Sequence, residues 1–139
     1  MYKCKHFKIY ELVPPSIYNK YKDTPYKMWL MFDDRVLREA DKLRDKFGSC
    51  TINNWYWGGD FSQSGIRTPE SRYYKETSQH SFGRALDLKF NSIRAEEVRK
   101  YIKENPSEFP LIKGLEDFKG MTWVHIDTRN AEELQIFKG

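Results

Sequence analysis

Apolar residues recur every three or four positions through "DDRVLREADKLRDKFG", where Val36, Leu37, Ala40, Leu43 and Phe47 line one face of an expected helix. Asp33 or Asp34 can cap its start, and Gly48 stops it. "SIRAEEVRKYIKENP" repeats the pattern as a second amphipathic helix, with Ser92 as the expected cap and Pro106 just past its end. Elsewhere the period shortens to two. "RALDLKF" alternates, so Leu86, Leu88 and Phe90 face a core while Ala85, Asp87 and Lys89 share the opposite face. "PLIKGLE" and "MTWVHIDTR" are two further strand candidates, and the intervening "DFKG" makes them a hairpin. "CTINNWYW", rich in Thr, Ile, Trp and Tyr and ending at Gly58-Gly59, reads as another strand.

The N-terminal "FKIYELVPPSIYNKY" is broken by Pro14-Pro15, which implies an extended piece followed by a short helical turn. Between Gly58 and about Gln79 the chain is polar and without periodicity, a length that marks a functional loop in a compact domain. Helices and strands without regular βαβ alternation point to an α+β fold: a small antiparallel sheet flanked by helices. The 139 residues suit a single domain, expected to act as a monomer, that buries a core without disulfides.

Composition adds little beyond this. Cys4 and Cys50 form no CxxC pair and are too few for a disulfide framework, which suits a reducing compartment. The first residues contain no apolar signal segment and no window reaches a membrane span, so the expectation is cytoplasmic synthesis without export by an encoded signal, and no membrane partner. The net charge of +4 is dispersed among acidic residues with no basic run, which gives a mixed solvated surface. No nucleic-acid recognition motif accompanies it.

The chemistry gathers around two of the three histidines. His6 lies in the basic N-terminal segment and reads as a surface or packing residue. His80 precedes Asp87 by a short interval containing Gly83, and His125 shares a strand face with Trp123 and Asp127. If the two strands are neighbours, His80, Asp87 and His125 converge. Two imidazoles and a carboxylate suit zinc, leaving a fourth tetrahedral position open for water. On spacing alone, a satisfied core histidine and an aspartate bonded to backbone or arginine are equally good readings.

"SQHSFGRALDL" with "WVHID" resembles the His-x-x-Gly-x-Ala-x-Asp and Trp/Val-His signatures of the zinc D-Ala-D-Ala carboxypeptidase family, which shares its fold with hedgehog signalling domains. "HFKIYELVP", "NNWYWGG", "SGIRTPES" and "GLED" followed by "TWVHIDTRN" look like the short phage- and prophage-encoded branch, so the resemblance spans most of the chain. It implies a hedgehog/DD-peptidase-like fold with His80, Asp87 and His125 as zinc ligands. It further implies Glu116 as the general base and acid, with Asp117 as rival, although Glu116 stands further from His125 than in the carboxypeptidases with Glu-x-x-Trp-His. Arg67 matches the loop arginine that clamps a substrate carboxylate or polarises the scissile carbonyl. Ser78 bonds substrate or shapes the loop, Asp127 supports a ligand or neighbours Arg129, and Trp55, Trp57 and Trp123 read as core rather than groove.

The implied activity is hydrolysis of peptidoglycan stem peptides, as carboxypeptidase or endopeptidase, by an endolysin-like enzyme. Such an enzyme waits in the cytoplasm for a separate pore-forming protein or travels in a virion. The competing expectation is a catalytically inactive, metal-bearing binding or phage structural module on the same fold.

Overall fold

The computed structural model describes residues 1–138. The described residues form an α+β fold with four α-helices and one mixed five-stranded sheet. The helices are α1 (Pro15–Tyr21), α2 (Tyr26–Trp29), α3 (Asp34–Phe47) and α4 (Ala95–Glu104). The strands are β1 (Cys50–Thr51), β2 (Ala85–Phe90), β3 (Gly114–Glu116), β4 (Val124–Asp127) and β5 (Gln135–Phe137), in the order β1-β2-β4-β3-β5.

The two long helices follow from their periodicity. Asp33 caps α3 by accepting the Arg35 N–H at 2.9 Å, and Gly48, at φ 87°, ends it in a conformation that favours glycine. α4 begins at Ala95, two residues later than a Ser92 cap would place it. Arg94 holds the cap position, and the Glu97 carboxylate reaches back to its N–H at 3.4 Å. Val36, Leu37, Ala40 and Leu43 of α3 and Val98 and Ile102 of α4 enter one core with Leu86, Leu88, Leu115, Val124 and Ile126 from the sheet. Strand alternation therefore sends Asp87, Glu116 and His125 to the sheet's other face.

Three expectations are corrected. The sheet is mixed rather than wholly antiparallel: β2–β4 and β3–β4 pair antiparallel, but β5 joins β3 in parallel. β4 is flanked on both sides by β2 and β3, and the chain leaving it adds its strand at the outer edge of β3. Residues 50–57 form a strand only at Cys50–Thr51, and Trp55–Trp57 make a 3-10 turn. Their aromatic rings find partners outside the ladder: Tyr56 stacks on Tyr10 at 3.9 Å, and Trp55 Nε1 donates to the Val13 carbonyl at 2.8 Å. The three tryptophans read as core are not buried; Trp57 is 62% and Trp123 37% exposed, while Trp55 is half-buried. No helix of the described residues is long and apolar enough to cross a membrane.

Candidate metal centre

Register assembles two of the three donors. Asp87 on β2 stands directly opposite His125 on β4, a spacing at which side chains on one face meet. Asp87 Oδ1 lies 3.0 Å from His125 Nδ1. His80 arrives from the 3-10 turn Gln79–Phe82 immediately before β2, and its Nε2 lies 3.3 Å from the same oxygen. Ser78 caps that turn by accepting the His80 N–H at 3.3 Å, which gives this serine a structural task. Gly83 ends the turn at φ 68°, and a Cβ there would lie 2.0 Å from the Met31 carbonyl oxygen. All three donors are buried, and their ligand atoms lie within 4.8 Å of one another.

Hydrogen bonds fix which ring nitrogens face inward. His80 Nδ1 donates to the Gly65 carbonyl at 2.8 Å, which leaves Nε2 as the inward donor. His125 is held the other way round, with Nε2 donating to Asp127 Oδ2 at 2.8 Å and Nδ1 turned toward Asp87. A tetrahedral ion with bonds of about 2.0–2.1 Å separates its donors by roughly 3.3 Å. The separations of 3.0 and 3.3 Å from Asp87 Oδ1 fit that geometry, so the buried His-Asp-His group can hold a metal ion with a coordination position to spare.

The electrostatics of the metal-free group agree with this. Burial raises the Asp87 carboxyl, but His80 and His125 outweigh it and hold it well below the usual carboxylate range. Burial pulls the His125 imidazole down, yet bonds to Asp127 and Asp87 and the charge of Glu116 carry its pKa up to about 9. A metal ion bound at His125 would compete with the proton that this raised value holds on the ring.

Behind the donors stands a rigid outer layer that reaches across the fold. Asp127 is fully buried and accepts from Arg129 Nε at 2.7 Å and Nη2 at 2.5 Å. Burial raises its carboxyl, but Arg129 and His125 prevail and bring it down to about 2. Gly114 faces Asp127 across the β3–β4 ladder, and a Cβ there would stand 2.1 Å from Asp127 Oδ1. Gly65 has the same requirement in the loop: a Cβ would sit 2.0 Å from the Leu12 carbonyl oxygen, so only glycine brings its own carbonyl to His80. Lys89 pins the neighbouring residue, donating to Ser64 Oγ at 2.7 Å and to the Ile52 carbonyl at 2.6 Å, while the Ser64 carbonyl accepts the Asp87 N–H at 2.8 Å. Burial lowers the Lys89 ammonium to about 8, against the opposing pull of Asp87 and Cys50.

Asp127 thus does both things the sequence reading allowed it, supporting a ligand and pairing with Arg129, whereas the roles of Gly65, Lys89 and Gly114 are absent from that reading. Lys89 had a signal, since it shares a strand face with Asp87; the two glycines had none, because what a Cβ would strike is settled by chain segments far away in sequence.

Glu116 and Asp117 separate clearly. The β3–β4 hairpin brings Glu116 Oε1 to 3.5 Å from His125 Nδ1, at the edge of a cleft of about 470 Å³ that also contains all three donors. Asp117 is held elsewhere, by Lys103 and by Arg99 Nε at 3.2 Å, with its carboxyl lowered chiefly by the Lys103 bond. It borders a separate hollow of about 1000 Å³ beside α4, remote from the imidazoles. Arg67 enters the metal cleft from the loop. Its Nε donates to the Gln63 carbonyl at 2.8 Å and its Nη2 to Asp87 Oδ2 at 3.3 Å, so the two oxygens of Asp87 serve different partners. His6 lies apart, paired with Asp45 at 2.5 Å.

In comparisons with known proteins, no family model, no curated protein and no solved structure matches the chain.

Proposed function

We propose that the chain is a zinc metallopeptidase on a hedgehog/DD-peptidase-like fold, acting on the peptide stems of bacterial peptidoglycan. The observation that carries the reading is the juxtaposition of three oriented donors with a partly exposed carboxylate, Glu116, 3.5 Å from a metal-facing nitrogen and open to a cleft. Two imidazole nitrogens and one carboxylate oxygen at these separations suit zinc among divalent ions. Motif resemblance, in "SQHSFGRALDL" and "WVHID", supplies the substrate class.

When bound, zinc supplies Lewis acidity, polarising a carbonyl and acidifying water. The protein does the rest. His80 and His125 present fixed nitrogens because Gly65 and Asp127 hold their opposite ring edges. Glu116 takes a proton from the attacking water and delivers it to the leaving amine, and its partial exposure lets it reach both. Arg67 holds Asp87 in place and offers its remaining N–H groups to the substrate carbonyl.

The test is metal analysis of the purified protein combined with mass spectrometry of digested cell wall. A stoichiometric divalent metal and released peptide products are expected, and Glu116→Gln keeps the metal while losing the products. Intact metal binding with no product from the unaltered protein would instead identify a binding or structural module. Failure to retain any stoichiometric metal after zinc is supplied would remove the ligand assignment.

A further inference from the structure

Charge is less evenly spread than the sequence reading has it. Of the 24 basic and 20 acidic side chains, six lysines and two carboxylates fall within residues 1–27, so this segment carries a formal +4, the net charge of the whole chain, and the rest is balanced. Glu11, one of the two acids, is buried and accepts the Lys8 N–H at 2.7 Å, which leaves Asp23 as the segment's exposed carboxylate. The segment folds around a hollow of about 480 Å³, lined by the N-terminal stretch, α1 and α2, that shares no residue with the metal cleft.

Lys3, Lys8 and Lys22 line this hollow, all three are exposed, and none has a carboxylate partner among the described residues. Lys5 and His6 line it too, but they share Asp45, at 3.7 and 2.5 Å. Three unneutralised ammonium groups around one concavity focus positive potential and favour a ligand with several spaced negative charges. The surrounding groups narrow the choice. Among the described residues no arginine lines the hollow, so the planar fork that reads base edges is missing. Tyr10 stacks on Tyr56 at 3.9 Å, and Tyr18 makes T-shaped contacts with Tyr10 and Trp55 at 6.0 and 5.7 Å, so rings on which the bases of a single strand would stack are already engaged.

We propose that this hollow is a second binding site, for a linear phosphodiester polymer of the bacterial cell wall whose repeating unit is a small polyol rather than a nucleoside. The choice of a wall polymer rests on the peptidoglycan reading; the concentration of charge does not. Lysine ammonium groups meet the phosphates as point charges, release their counterions and need no fixed register along the polymer. Because the hollow and the metal cleft have no residue in common, polymer and peptide can be held at once, and the site anchors the cleft close to its substrate.

The experiment measures fluorescence anisotropy of a labelled poly(glycerol phosphate) oligomer with the full chain free of metal, so that the readout does not depend on catalysis. Affinity is expected to fall about tenfold between about 50 and about 200 mM salt, as neutralising roughly three phosphates requires. Replacing Lys3→Gln, Lys8→Gln and Lys22→Gln together weakens binding about tenfold at the lower salt and flattens that salt dependence. Lys100→Gln, Lys119→Gln and Lys138→Gln together remove the same charge outside the hollow and leave affinity within about twofold. All six side chains are exposed, and thermal melts of both triple variants verify that the fold is kept. An equal loss in both variants overturns the site, because net charge alone then accounts for binding. An oligothymidylate with the same number of phosphates binding as tightly as the polymer overturns the choice of occupant. No binding of the polymer at the lower salt overturns the proposal outright. Polymer binding by a protein that releases no peptide from cell wall removes the peptidase reading and leaves this site standing.

Discussion

Replacing Gly114 by alanine tests how the His125 imidazole is held. The backbone there lies outside the left-handed region, so alanine is conformationally allowed, and by lowering the entropy of the unfolded chain it should stabilise by about 0.4–1 kcal/mol. The fold offers no room for the methyl group. A Cβ would stand 2.1, 2.3 and 2.4 Å from Asp127 Oδ1, Oδ2 and Cγ, whereas ordinary contacts begin at 3.4 Å. The carboxylate must retreat by more than an ångström, and its bonds of 2.8 Å to His125 Nε2 and 2.7 and 2.5 Å to Arg129 cannot all survive. Each buried charge-assisted bond is worth about 1.5–3 kcal/mol, so the expected net loss is about 2–4 kcal/mol. Loss of the partner that orients a ligand also weakens metal binding by about 10–100-fold. Urea unfolding of the metal-free protein reads the first effect, and competition with a chromogenic chelator reads the second. A Gly114→Ala protein that keeps wild-type stability and binds zinc within about twofold of wild type would refute the claim that Asp127 sets the imidazole.

Chelation of the loaded protein lowers its melting temperature, because an ion held at a hundred times its Kd contributes about 2.7 kcal/mol; an unchanged melt by calorimetry would argue against a folded-state site. Asp117→Asn leaves metal affinity within about twofold by the same chelator competition, since its partners are Lys103 and Arg99. Glu39 gives a pH test away from the centre. Burial raises its carboxyl against the pull of Lys42, and Oε2 has no hydrogen-bond partner. Its contribution is fully present below the unfolded value near 4.5 and is lost as pH rises through the raised folded value. Glu39→Gln is therefore expected to gain urea resistance over wild type at pH 8, with the difference vanishing toward pH 4; a pH-independent difference would contradict this.

Much of the site was legible because it depends on strand alternation. Leu86 and Leu88 belong in a core, so Asp87 between them does not, and the same argument separates His125 from Val124 and Ile126. Carried one step further it distinguishes Glu116 from Asp117, since Leu115 is buried and Glu116 follows it onto the face of His125. Helix α3 was equally plain, with its period, cap and stop in agreement. The start of α4 was not, because Arg94 is an unusual cap residue and Glu97 does the bonding. β5 was missed since its three residues carry no core pattern; the free edge of β3 places it. Trp55–Trp57 have strand composition, yet stacking with Tyr10 and Tyr18 turns the chain out of the sheet.

The centre draws His80 from a turn, Asp87 and His125 from separate strands, and its supports from Gly65, Gly114 and Arg129. No local segment of the chain contains more than a fraction of these parts, and β3 and β4 enter late in chain order. During synthesis or refolding, metal affinity should therefore appear in one late step, after the hairpin docks on β2, rather than growing with helix content. Time-resolved zinc uptake then reports completion of the tertiary structure, and a partly folded chain remains without a hydrolytic centre however much secondary structure it has gained.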